Sequence, residues 1–289
     1  MKMIPLALAP ATVASYRRHW RSFEAFAERF ALPVTMPIAV DHLSCFMMEL
    51  LNSGASASSI SSMLSAFSYF HKLEGGPDPT HSFFIRQLAI AVRRQVPSSD
   101  SRVPITEAML FRMVEQIAKC GWPLYDTVLF QATFLFAFYF GLRVSEFTSS
   151  RHNILRKQLE ISNTLAKLTF LSFKHSKQPE THSIASIDSP YCTVKALLRY
   201  LAFRGNTPGP LFLLHGKPIT SKLFSSTLNR ILGPLGLSDA NIKAHSFRIG
   251  AASYWVEKGL SEVQIRQRGR WNSNAMVTYF RGEVKHNNV

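Results

Sequence analysis

The sequence predicts a mainly α-helical protein with one small antiparallel β-sheet, divided into two domains. Apolar and aromatic residues recur at helical spacing over long stretches. A segment rich in proline and serine, QVPSSDSRVP, interrupts that pattern near residues 95–104. Between residues 159 and 187 the apolar period falls to two, the spacing of a strand with one buried face. These observations place a helical N-terminal domain at 1–95, a linker at 96–104 and a larger domain at 105–289. With 289 residues, 46% of them hydrophobic, the chain can bury a large core.

Residues 11–30 set Tyr16, Trp20, Phe23, Ala27 and Phe30 along one side and Arg17, Arg18 and Arg21 on others, an amphipathic helix with a basic flank. Further helices are predicted over 39–52, 57–73 and 82–95, separated by LNSGAS and EGGPDPT, and together they make a four-helix unit. Beyond the linker the pattern stays helical to about residue 150. The most apolar stretch, TVLFQATFLFAFYFGL, is shorter than the roughly 20 residues needed to span a bilayer. It also contains Gln131 and Thr133, so it reads as a buried helix. In LEISNTLAKLTFLSFKHSKQPETHSIASI, Leu168, Phe170 and Ser172 oppose Thr169, Leu171 and Phe173, with a turn at KQPET, which gives two or three strands. Helices resume from about residue 190, separated by RGNTPGP, HGKP and LGPLGLSD.

The formal net charge of +15 is unevenly spread. Residues 1–100 hold nine Lys/Arg against seven Asp/Glu, which leaves 24 against 11 in residues 101–289. That excess is the footprint of a polyanion-binding surface. Three cysteines, Cys45, Cys120 and Cys192, are too few and too scattered for a disulfide framework or a zinc site, and they imply a reducing compartment. The start, MKMIPLALAPATVA, imitates a signal peptide. Its prolines and the SYRRHW that follows make it an ordinary disordered terminus.

The chemistry concentrates in three segments: GLRVSEF with Arg143 and Glu146, HSFRIGAASYW with His245 and Arg248, and GRWNSNAMVTYFRG with Arg270, Trp271 and Tyr279. A transferring phosphate needs cations on its non-bridging oxygens and a nucleophile in line with the leaving oxygen. Two arginines and a late tyrosine supply both without a metal or other cofactor. Taken alone, Arg143 reads as a helix cap or as a partner for Glu146 three positions on. With Arg248 as a second planar guanidinium, a clamp on one phosphate is the better reading, and Glu146 then orients Arg143. His245 and Arg248 share a helical face, which suits proton handling beside the phosphate. Trp271 offers an indole N–H and a broad apolar face.

In this order and at these distances the segments resemble the tyrosine recombinases, the phage integrase family of DNA breaking-rejoining enzymes. The likeness is strong from about residue 130 onward and weaker in TVASYRRHWRSFEAFAERFAL. The wording of the last segment is closest to recombinases of DIRS-like and Ngaro-like retrotransposons. Trp271 precedes Tyr279 by eight positions, one fewer than bacterial members usually show, and this spacing suits the retrotransposon group.

The resemblance implies a helical core-binding domain and a catalytic domain that together clamp duplex DNA. It makes Arg143, His245, Arg248, Trp271 and Tyr279 catalytic, with a 3′-phosphotyrosine intermediate and no ATP. It also places a general-acid lysine on the β-hairpin, where FKHSKQ offers Lys174 and Lys177. Residues three apart point to opposite faces of a strand, and the match of HSKQ to the family's Ser/Thr-Lys pattern favours Lys177. Arg17, Arg18, Arg21, Lys174 and Arg270 are expected to contact DNA. A homodimer on each site and a homotetramer in the synaptic complex are implied, with nuclear residence in a eukaryote and nucleoid residence in a prokaryote. The rivals are an inactive, repurposed DNA-binding descendant and a helical interaction protein without nucleic acid. The complete set of site residues argues against the first, and the basic charge of residues 101–289 argues against the second.

Overall fold

A computed structural model describes residues 8–95, 101–149, 153–171 and 178–271. Residues 1–7, 96–100 at the start of the linker, 150–152, 172–177 with Lys174 and Lys177, and 272–289 with Tyr279 lie outside the described residues. The chain forms two compact units, Met1–Asp100 and Ser101–Val289.

The first unit is built from α1 (Pro10–Arg29), α2 (Val40–Asn52), α3 (Ala57–Glu74) and α4 (Phe83–Gln95), with one 3-10 turn at Pro79–His81. Local chemistry sets the ends. Pro10 occupies the first turn of α1, where its missing N–H costs nothing. The Ser56 hydroxyl caps α3 by accepting the Ser59 N–H at 3.1 Å. Phe23, Phe46 and Phe67 fill the centre, and Phe23 meets Phe67 edge-on at 5.3 Å. Each buried ring of this kind contributes about 1.5–3 kcal/mol. One residue departs from the expected apolar side of α1. Phe30 is 53% exposed, and Phe26 is buried instead. Phe30 is the C-cap, where the backbone leaves helical geometry and turns the ring outward.

The second unit surrounds the apolar helix. It runs α5 (Glu107–Ala118), α6 (Leu124–Tyr139), α7 (Val144–Phe147), β1 (Leu159–Ile161), β2 (Leu165–Phe170), β3 (Glu180–Ala185), α8 (Thr193–Arg204), β4 (Leu213–Leu214), β5 (Lys217–Pro218), α9 (Ser221–Leu232), α10 (Ser246–Glu257) and α11 (Glu262–Gly269). Helix α6 is apolar on all sides and packs against α5, α8 and α10, which bury it. No described helix is long and apolar enough to cross a membrane.

Strands β1, β2 and β3 form an antiparallel sheet with Leu159 opposite Leu168 and Phe170 opposite Glu180. Ala166, Leu168 and Phe170 face the core, as the period of two requires. A second, two-stranded pair, β4–β5, was not expected from the sequence. HGKP is a hairpin there and not a plain break between helices. His215 and Gly216 both take positive φ, 49° and 78°, which suits a tight hairpin turn.

Candidate active site

The site starts at the end of α6. Gly141 takes φ 55°, and the Leu142 and Gly141 N–H groups return to the Ala137 and Phe138 carbonyls, both at 2.9 Å. This left-handed turn closes the helix and aims the chain at Arg143. A Cβ at Gly141 would lie 2.5 Å from Trp255 Cη2, so the turn needs glycine for space as well as for conformation.

Arg143 is the N-cap of α7. Its backbone N–H donates to Glu146 Oε2 at 2.7 Å, and its Nη1 donates to Glu146 Oε1 at 3.2 Å. Glu146 therefore holds both ends of Arg143. It also accepts from Arg270 Nη2 at 2.9 Å, and this Arg270 side chain is fully buried. Burial alone would raise the Glu146 carboxyl. The charges of Arg270, Arg248 and Arg143, with the Arg143 amide, outweigh it and keep the group below the usual carboxylate range.

Arg248 lies in α10, the helix that His245 caps. The His245 carbonyl accepts the Arg248 N–H at 3.1 Å, so the first turn of α10 fixes the two residues relative to each other. Arg248 is fully buried and donates to the carbonyls of Gly141 and Gly269. Its guanidinium stacks on Trp271, 4.5 Å from the ring centre. A Cβ at Gly269 would come 1.6 Å from Trp271 Cζ3, so the indole needs that glycine beneath it.

Arg143, Glu146, Arg248, Arg270 and Trp271 are thus brought together from three separate stretches of chain. The two expected clamp residues differ in setting. The Arg143 side chain keeps 24% of its surface exposed, and Arg248 is fully buried against the Gly141 and Gly269 carbonyls. Arg270, expected to contact DNA, is buried and turned toward the protein. Its ion pair with Glu146 draws it inward, and its guanidinium stacks 3.9 Å from the centre of the Phe170 ring. Arg17, Arg18 and Arg21 are exposed on α1 in the first unit. Lys174, Lys177 and Tyr279 lie outside the described residues.

Residues that sequence reasoning missed also line the site. His182 on β3 sits 2.7 Å from Glu180 Oε1 and meets Phe170 edge-on. Burial, followed by the charges of Arg270 and Arg268, holds the His182 imidazole below its ordinary value against the pull of Glu180. A cavity of about 740 Å³ opens here, lined by His182, Glu180, Arg266, Arg268, Arg270 and Trp271. In the sequence, THS is merely part of a strand and carries no signal of this. Among the described residues, no three His, Cys, Asp or Glu side chains group as a metal site requires.

Residues 4–73 match the phage integrase N-terminal SAM-like domain family. The whole chain is similar to a lambda integrase dimer bound to a COC′ core site, with TM-score 0.65, 16% identity, and 98% of this chain and 74% of that one covered. It is similar to the Tn1549 transposon integrase in complex with transposon right-end DNA, with TM-score 0.64, 15% identity, and 95% and 90% covered. It also resembles XerH site-specific recombinase in a post-cleavage complex with palindromic difH substrate, with TM-score 0.66, 15% identity, and 92% and 75% covered. The chain has the two-domain tyrosine-recombinase fold. No curated protein matches the sequence.

Proposed function

We propose that this chain is a tyrosine-type site-specific recombinase or integrase that cuts and rejoins duplex DNA through Tyr279, and that it belongs with the DIRS-like and Ngaro-like retrotransposon enzymes. The observation that carries this reading is the convergence of Arg143, Arg248 and Arg270 on Glu146 and the Gly141 carbonyl, with Trp271 stacked on Arg248. The similar solved structures are DNA complexes. In this reading Arg143 and Arg248 hold the non-bridging oxygens of the scissile phosphate, and His245 handles a proton beside them. The Tyr279 hydroxyl passes its proton to His245 and attacks phosphorus. The bond to the 5′ oxygen breaks, and a hairpin lysine protonates that oxygen as it leaves. The bond energy stays in the phosphotyrosine, so rejoining needs no ATP.

Competing nucleophiles are poorly set. Burial raises the phenols of Tyr139, Tyr200 and Tyr254, and a hydrogen bond to Glu115 raises that of Tyr191. Double-stranded DNA is the partner, with a dimer on each site and a tetramer at synapsis, and the site of action is the nucleus if the host is a eukaryote and the nucleoid if it is a prokaryote. Nicked suicide duplexes resolved on denaturing gels test the proposal. The parent chain forms a covalent protein–DNA adduct, and Tyr279→Phe forms none while binding DNA as tightly. An adduct with the Phe variant would move the nucleophile to another tyrosine. Binding by the parent without any adduct would favour an inactive DNA-binding descendant.

A further inference from the structure

Arg270 occupies a costly position. It is the C-cap of α11 in the left-handed conformation, φ 52° and ψ 49°, where glycine is the usual residue because a Cβ is strained there. Its guanidinium is also removed from water, and burial weighs against its charge more than any other influence. Yet its contacts reach several elements. Nη2 donates to Glu146 Oε2 at 2.9 Å and to the Gly141 carbonyl at 3.3 Å, and Nη1 donates to the Arg268 and Phe140 carbonyls at 3.2 and 3.4 Å. Its face lies on Phe170, at the end of β2.

The carboxylate it grips is the one that holds the backbone N–H and the guanidinium of Arg143. We infer that Arg270 is a positioning residue: by fixing Glu146 against the ends of α6 and β2, it sets the direction in which Arg143 presents its guanidinium to a phosphate. The inference rests on the reading of Arg143 as a phosphate ligand. Strain and buried charge kept at a site that orients a ligand are what pre-organisation requires.

Arg270→Gly tests this, because glycine relaxes the left-handed backbone while removing the brace. A misplaced Arg143 should slow cleavage of a phosphate substrate by about tenfold to a hundredfold. A scissile methylphosphonate carries no charge for Arg143 to neutralise. The ratio of methylphosphonate to phosphate cleavage should therefore rise in Arg270→Gly, as it does in Arg143→Ala. The double variant should be no slower than Arg143→Ala alone, and Arg270→Lys should restore part of the rate. Equal slowing on both substrates would reduce Arg270 to a purely structural residue and overturn the inference, as would unchanged cleavage. A second readout does not depend on activity. The guanidinium N–H resonances of Arg143, assigned by their loss in Arg143→Lys, should shift and broaden in Arg270→Gly. If they stay put, the inference fails whatever the protein does to DNA. If they move while the parent forms no adduct, it is the recombinase reading that fails.

Discussion

Arg248 and Trp271 form a stacked pair, the guanidinium carbon 4.5 Å from the centre of the indole, with Trp271 only 7% exposed. The indole roofs Arg248 and rests on Gly269, so truncation removes support from both. Trp271→Ala should destabilise the chain by about 3–5 kcal/mol. It should also abolish adduct formation, and Trp271→Phe should keep part of each property. Denaturant unfolding and suicide-substrate gels provide the two measurements. An alanine variant as active as the parent would leave Trp271 as a mere packing residue.

Glu146 makes the site sensitive to acid. Its carboxyl lies below the unfolded value of about 4.3, so its stabilising effect is complete above that pH and fades as pH falls through the folded value. Glu146→Gln should cost about 3–5 kcal/mol at neutral pH, because Arg270 is left buried without its anion. It should also show a shallower loss of stability on further acidification than the parent. Denaturant titrations from pH 7 down to pH 3 compare the two. Parallel profiles would mean that the carboxylate contributes nothing to the acid limb.

The N-terminal helices were legible because their stripes are long and their breaks are marked by glycine, proline and asparagine. The site was legible only in part. His245 and Arg248 are neighbours in sequence, and the Glu146–Arg143 contact is local. The partner of Arg270 lies 124 residues away, so nothing near GRW signals that this arginine turns inward. His182 is hidden for the same reason, since its charged neighbours Arg268 and Arg270 come from α11. The β4–β5 strands hold two residues each, too few to show a period.

Lys177 is expected to act as the general acid. An alkoxide leaves poorly because its conjugate acid has a pKa near that of water, about 15.7. A bridging sulfur leaves as a thiolate, with a conjugate-acid pKa of about 8.5, and needs little help. Lys177→Ala should cleave an ordinary substrate slowly and a 5′-bridging phosphorothiolate at nearly the parent rate. Arg248→Ala should gain nothing from sulfur, since the non-bridging oxygens still need their clamp. Rescue of Lys174→Ala in place of Lys177→Ala would exchange the two lysines.

DNA affinity should fall steeply with salt, because each neutralised phosphate releases counterions. Most of the slope should persist when Arg17, Arg18 and Arg21 are all changed to alanine, since residues 101–289 hold nearly all the excess charge. The triple variant should still lose slope, by about 0.9 for each phosphate contact removed. Filter binding across a salt series measures this. An unchanged slope would place these exposed arginines away from the backbone of the DNA.

The left-handed turn at Gly141 leaves the Phe140 and Gly141 carbonyls pointing at Arg248 and Arg270. They follow directly on Tyr139, the last residue of α6, beside the end where the aligned peptide dipoles of a helix concentrate about half a negative elementary charge. The greasiest helix of the protein therefore also acts as a fixed electrode beneath the guanidiniums. Unlike Glu146, that electrode carries no proton and cannot be titrated. Acid that neutralises Glu146 still leaves both deep arginines facing a negative pole.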